Sequence, residues 1–274
     1  MKLALSVRIA EAACKTKLNV ELDELVELAD ELGYHAICMR ASAGGVQTPH
    51  DQLAEMKQAV DRAGKTISMA TADFDVPLNN DNGPNSLSNI GPSLDVAEAL
   101  GCDLIRVCIK TESDIEPACR AADIAAERGI RLAHQCHTTT LFEEVDQSIE
   151  VLQRIDRANF GLIYEPANLM LCGQSYGVDT LRRFQPHLMN VYVQNHKLDP
   201  AGPVELETWC LGMRRFHHIP IWEPGGVHFQ QVIESLQAIG YDGNVTVHQA
   251  YAELMEPREA AVESSKYLTS LGVE

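Results

Sequence analysis

Short apolar runs alternate along this chain with longer segments of helical period, and a glycine closes five of those segments: Gly33, Gly64, Gly101, Gly129 and Gly240. Glycine just past a helix adopts the left-handed conformation that ends it and turns the backbone into the next strand. The pattern predicts strands over residues 3–9, 35–39, 66–72, 103–109, 131–136, 160–164, 188–193 and 245–247. It predicts helices over 20–32, 48–63, 86–100, 114–128, 141–155, 178–184, 227–239 and 257–271. Eight strands alternating with helices over roughly 250 residues predict an α/β chain of the (β/α)8 barrel type. A doubly wound open sheet needs a Gly-rich phosphate turn after an early strand. The nearest candidate, R-A-S-A-G-G at 40–45, lacks that spacing, so no nucleotide cofactor is expected. No Pro-, Gly- or Ser-rich linker divides the chain, and one domain over 1–274 is expected. Segment 197–226 is long for a βα connection and holds Trp209, Trp222 and several Pro and Gly residues. It is expected to be an ordered loop over an active site.

Charge narrows the partners. The net charge is −17, from 39 acidic and 22 basic residues. Such a surface repels nucleic acid and anionic membranes, so neither is an expected partner. No apolar run approaches the roughly 18 residues of a membrane span. The first ten residues lack the apolar core and cleavage site of a signal peptide. Eight cysteines are scattered with no C-x-x-C pair, which suits reduced thiols in a cytoplasmic protein.

In a parallel barrel the chemistry collects at the C-terminal ends of the strands. Those ends offer Arg8, Arg40, Asp73 and Asp75, Arg106 and Lys110, then Gln135 and His137. Glu165 and Asn168 follow, then Tyr192, Gln194, His196 and Lys197, and last His248 and Gln249. Residues two apart on a strand share a face. Gln135 and His137 therefore point together, as do Tyr192 and Gln194. His134 and Cys136 point away toward the helices. Gln135, Glu165, Gln194 and His248 could hold a divalent metal; oxygen donors suit Mg²⁺ or Mn²⁺, and imidazole pulls toward Mn²⁺, Co²⁺ or Zn²⁺. A metal-free polar network around a neutral ligand is equally open, since the four carry one formal negative charge. Arg8, Arg40, Arg106, Lys110 and Lys197 could meet an anionic or keto-acid substrate, with Arg40 and Arg106 foremost because each lies in or directly after an apolar strand. His217 and His218 read as surface or loop packing.

Four motifs resemble the xylose isomerase-like TIM barrels. L-A-H-Q-C-H at 132–137 resembles the strand-five motif in which Glu precedes His by two residues. G-L-I-Y-E-P-A-N at 161–168 resembles the strand-six Asp-Pro motif. N-V-Y-V-Q-N at 190–195 resembles the strand-seven His-x-Lys-Asp motif. G-Y-D-G-N-V-T-V-H at 240–248 resembles the strand-eight motif that ends in Glu. The resemblance covers essentially the whole chain. It implies sugar-phosphate isomerases and epimerases, inosose dehydratases, ketose 3-epimerases or endonuclease IV.

That resemblance also implies a metal held by Glu, Asp, His and Glu on strands five to eight. The matching positions here are Gln135, Glu165, a strand-seven residue and His248. Tyr192 is the closest strand-seven match and Gln194 the better donor, as in the related dehydroshikimate dehydratases; His196 is a further candidate if the strand is shifted. In ketose epimerases both Glu ligands exchange the substrate's α-proton. Gln135 cannot carry a proton near neutral pH, whereas His248 can.

The expected function is therefore a sugar or polyol isomerase or epimerase acting by proton transfer next to a carbonyl, with or without a divalent metal. The alternatives are a dehydratase or lyase on a keto-sugar or inosose-like substrate, and a non-catalytic sugar-binding barrel. Glu165 or His248 is the expected base and His137 the acid. Arg40, Arg106, Asn168, His196, Lys197 and Trp222 are expected to contact a small carbohydrate. Barrels of this kind often pair, so a homo-oligomer is compatible. A nuclease with three zinc ions does not suit the acidic surface or the scarcity of His and Asp at the strand ends.

Overall fold

A computed structural model describes residues 1–72, 82–251 and 254–274. The chain runs through β1 (Lys2–Ser6), α1 (Leu22–Glu31), β2 (Ala36–Cys38), α2 (His50–Arg62), β3 (Thr66–Thr71), the short α3 (Asn85–Ser88), α4 (Gly91–Leu100), β4 (Leu104–Val107) and α5 (Ile115–Glu127). It continues through β5 (Arg131–Gln135), α6 (Val145–Ile155), β6 (Phe160–Tyr164), α7 (Pro166–Leu171), α8 (Val178–Phe184) and β7 (Leu188–Val193). Then come β8 (His196–Leu198), β9 (Val204–Thr208), β10 (Gly212–His218), α9 (Phe229–Ala238), β11 (Asn244–Val247) and α10 (Pro257–Ser270).

Eight parallel strands close into a barrel in the order β1-β11-β7-β6-β5-β4-β3-β2. Leu3 on β1 sits opposite Val245 on β11, and Ala4 opposite Ala36 on β2, which seals the ring. The expected (β/α)8 barrel is the observed fold. The five helix-ending glycines all have φ between 67° and 76°, the left-handed region that side chains with a Cβ resist.

Strand alternation sorts the core into two layers. Leu5, Ile37, Ile105, Leu132, Leu162, Val191 and Val247 face outward into the apolar layer beneath the helices. Cys38, Met69, Leu104, Ala133, Ile163 and Tyr192 face inward and fill the lumen. Side chains two positions beyond this inner set must then open at the mouth.

Several local expectations change. The first strand stops at Ser6, and Val7–Ala10 form a 3-10 turn whose first free N–H, that of Arg8, donates to Ser6 Oγ at 3.3 Å. The helix expected over 86–100 is split, because Gly91 and Pro92 begin α4 anew; proline lacks an N–H to continue a helix yet suits a first turn. The helix expected from 141 begins at Val145. Helix α7 was not anticipated. Segment 197–226 is a structured arm built around an antiparallel sheet, in the order β8-β10-β9, and not a loop. Among the described residues no helix is long and apolar enough to cross a membrane. Asp73 and Asp75 lie outside the described residues.

Candidate active site

At the C-terminal end of the barrel lies a cavity of about 330 Å³. Its wall divides into two arcs. On one, Arg8 follows β1, Arg40 follows β2 and Arg106 points inward from β4; Lys15 joins them from the hairpin after the first turn. On the other, Gln135, Gln194 and His248 continue the inward faces of β5, β7 and β11, with His137 and Asn168 beside them.

The cationic arc is organised by Glu11, a residue with no sequence signal beyond its position three after Arg8. Arg8 Nη1 donates to Glu11 Oε2 at 2.9 Å, and Arg40 Nε to Glu11 Oε1 at 2.6 Å. Ser42 Oγ donates to the same Oε1 at 2.6 Å. Burial alone would raise the Glu11 carboxyl, but Arg40 and Arg8 outweigh it and hold it below its usual range. Arg8 is lowered to about 10, first by burial and then by the charge of Arg40. Lys15 is lowered to about 8 by burial, then by Arg8 and Arg40. It holds φ at 58° at the hairpin tip, beside the turn closed by the bond from its own N–H to Ala12 O.

Glu165 lies directly behind the other arc, fully buried at the N-terminus of α7. It does not itself line the cavity. Asn168 Nδ2 donates to its Oε2 at 3.0 Å and to Cys136 O at 2.8 Å. Gln194 Nε2 donates to its Oε1. Burial raises the Glu165 carboxyl to about 8, against the pull of Arg106 and Arg8. Gln135 leaves Oε1 buried without a hydrogen-bond partner.

His134, His137 and His248 are held neutral. His248 hydrogen-bonds through Nδ1 to Ser6 Oγ at 3.0 Å and stacks on Tyr192. Burial, then Arg40, Arg8 and Arg106, push its imidazole well below the usual range. His137 donates Nδ1–H to Thr138 O at 2.9 Å and is lowered to about 3 by burial and then Arg106. His134 faces outward, as alternation requires, donating Nδ1–H to Val107 O at 2.9 Å with its ring edge-on to Phe142. Cys136 packs in the outer apolar layer.

The arm roofs the cavity with one face. Val204, Leu206, Phe216 and His218 line it from above, and His196 Nδ1 meets His218 Nδ1 at 3.2 Å. His218 was expected merely to pack. It lines the cavity because it pairs across the sheet with His196, whereas His217 turns outward onto Asp199 at 3.0 Å. The same alternation removes Lys197: it follows the inward His196 on β8 and is exposed, outside the cavity lining. Trp222 is also outside the lining, where it stacks on Tyr251 with ring centroids 6.3 Å apart. Lys110 does not line the cavity. Arg40, Arg106, Asn168, His196, Gln135, Gln194, His137 and His248 all do. Lys15 and Glu11 were missed because nothing local marks a hairpin residue as facing a barrel mouth.

Residues 26–271 match the model of the family described as the xylose isomerase-like TIM barrel. The chain belongs to that family. Among its curated relatives is an inosose dehydratase from Geobacillus thermodenitrificans (strain NG80-2), 22% identical over 151 residues, or 54% of this chain and 50% of the relative. The match thus spans about half of that relative's length. Solved xylose isomerase-like barrels superpose over nearly the full chain. A probable 3-DHS dehydratase, AsbF, from Bacillus anthracis has TM-score 0.74 at 15% identity, covering 98% of this chain and 99% of its own. The IOLI protein, solved with a bound zinc atom, has TM-score 0.72 at 18% identity, covering 99% and 98%.

Proposed function

We propose that the protein catalyses proton transfer at a carbon next to a carbonyl, on a small sugar- or polyol-derived substrate, with loss of water as the outcome. The carrying observation is that His248 lines one cavity together with Arg8, Arg40 and Arg106. In the tautomer that donates Nδ1–H to Ser6 Oγ, Nε2 of His248 is the basic nitrogen. It takes the α-proton while the guanidiniums stabilise the negative charge that develops on the carbonyl oxygen. Lys15, lowered to about 8, is a proton donor of matching strength for the departing hydroxyl. Glu165 acts as a positioning residue: its carboxyl orients the amides of Gln194 and Asn168 toward the cavity. The symmetrical two-Glu epimerisation of the ketose epimerases is disfavoured, because Gln135 stands at one of the two Glu positions and carries no proton. The dehydratases among the relatives support the same reading.

A divalent metal does not fit this mouth. Of the four positions that match the family's ligands, only Glu165 carries a carboxyl group. Its two oxygens already accept from Asn168 and Gln194. Among the described residues, the one cluster of three His, Cys, Asp or Glu donors is Glu143, Cys172 and Cys210. None of these lines the cavity, and Glu143 already accepts three backbone N–H bonds.

The test is α-proton exchange in D₂O across keto-sugars, inososes and their acidic derivatives, each with and without EDTA. Exchange that is insensitive to EDTA and lost in His248→Ala is expected. Exchange that requires added Mn²⁺ would overturn the metal-free mechanism. Saturable sugar binding with no exchange on any compound would leave a binding barrel.

A further inference from the structure

We infer that Cys172 and Cys210 are a modification site: a dithiol that oxidises to a disulfide and fastens the arm over the mouth of the barrel. The lock acts on the roof whatever reaction the cavity runs.

The arm leaves the barrel at β8 and returns after β10, and its free end is the turn between β9 and β10. Cys210 sits in that turn, half-buried, between Trp209 and Leu211, each 50% exposed. Cys172 caps the C-terminus of α7 and is buried. The two sulfurs and a carboxylate oxygen of Glu143 lie within 4.8 Å of one another. Cys210 Sγ donates to Cys172 O at 3.6 Å. The backbone is held to match, with the N–H groups of Trp209 and Cys210 on Glu143. A Cβ at Gly173 would lie 2.9 Å from Leu211 Cδ1, so glycine there lets the turn come close to α7. The turn is thus docked in advance, which is the condition for bridging two cysteines without moving the backbone.

Burial, and after it Glu143, push both thiols above the ordinary range. The pair therefore rests as two thiols. A cation would need them as thiolates beside a carboxylate that already accepts three N–H bonds, whereas a disulfide is neutral. Oxidation by a peroxide starts at Cys210, the more accessible sulfur. An S–O bond forms, the O–O bond breaks, and water leaves with the thiol proton to give the sulfenic acid. Cys172 sulfur then attacks Cys210 sulfur. The S–S bond forms, the S–O bond breaks, and the hydroxyl leaves as water with the second thiol proton. Two thiols lose two electrons, and one peroxide is reduced to two waters.

Val204 and Leu206 on β9 and Phe216 and His218 on β10 line the cavity, so a bond at the free end of the arm holds the roof down. The same bond joins that roof to α7, which carries Asn168 and begins at Glu165. It spans 38 positions of the chain and restricts the opened and unfolded chain more than the closed one.

The experiment treats the full chain carrying Cys14→Ser, which removes the exposed cysteine, with hydrogen peroxide at about pH 8.5. Peptide mapping without reductant, thermal unfolding and hydrogen exchange follow. One cross-link joining Cys172 to Cys210 is expected, with the loss of two hydrogens. Tm should rise by about 5–10 °C, exchange across β9 and β10 should slow, and dithiothreitol should reverse both. Cys172→Ser and Cys210→Ser should show neither change. The mapping of the Cys14→Ser chain decides the matter even if a serine variant fails to fold. Cys210 carried to sulfinic acid with Cys172 still a thiol, a cross-link between other cysteines, or a Cys172–Cys210 cross-link that leaves both Tm and exchange unchanged would overturn the inference. One equivalent of Zn²⁺ held by the reduced pair and lost in Cys210→Ser would overturn it in favour of a metal site.

Discussion

Tyr192 lies flat against His248, with ring centroids 3.7 Å apart and planes 6° from parallel. The two come from neighbouring strands of the closed barrel, β7 and β11. Tyr192 belongs to the inner apolar layer, and its hydroxyl meets Cys38 Sγ at 3.5 Å. The layer that fills the lumen thus also sets the plane of the imidazole at the mouth.

Replacing Tyr192 by Leu removes that support. Loss of the stacking contact and of core volume should lower stability by about 2–4 kcal/mol. Urea unfolding checks this. If His248 is the base, kcat should fall more than KM rises, since the imidazole loses orientation and not its chemistry.

Glu165→Gln should stabilise the protein at alkaline pH while impairing activity. The folded carboxyl titrates near 8, above the unfolded value. Its contribution is therefore fully present below about pH 4.5 and is lost as pH rises through 8. The amide carries no such dependence. The variant should gain on the order of 2–4 kcal/mol over the native chain by pH 9, read from urea midpoints across pH 5–9. Parallel curves for the two proteins would show that Glu165 ionises freely in the fold.

His134 gives the opposite dependence. Its folded value of about 3 reflects burial first, and lies below the unfolded value of about 6.5. Its contribution is present above pH 6.5 and is lost as pH falls toward 3. His134→Gln, which can still donate to Val107 O, should flatten the acid side of the stability profile by one proton, about 1.4 kcal/mol per pH unit. Chemical denaturation between pH 7 and 4 measures the slope.

Glu143→Ala should loosen the roof. That buried carboxylate accepts the backbone N–H of Thr139 at 2.5 Å and those of Trp209 and Cys210 at 2.9 Å each. It thereby ties the arm to the loop after β5. Removing it strands three donors and should cost about 2–4 kcal/mol. Hydrogen exchange at Trp209 and Cys210 should accelerate well before that of β5. Unchanged protection there would mean that the arm is held by its sheet alone.

Much of the barrel was legible in the chain. Periods of 2 and 3.6 are local, and so are the glycines at helix ends. Alternation also separated Gln135 from His134 and Gln194 from Val193. It failed where an element went unrecognised: once β8 and β10 are strands, Lys197 and His217 face outward and His196 and His218 inward. Read as an irregular loop, that segment carries no such rule.

The sequence by itself determined the strand and helix rhythm of the barrel and the shared faces of Gln135 with His137 and of Tyr192 with Gln194, since each follows from spacing along a few residues. Tertiary structure decided the character of the mouth. Arg8, Lys15, Arg40 and Arg106 are spread over nearly a hundred residues, and only closure of the sheet brings them to one cavity. Burial then changes what the nearby groups are: Glu165 is driven toward the neutral acid and His137 and His248 toward the neutral base. Charge state depends on desolvation and on distant charges, and neither is a property of local sequence.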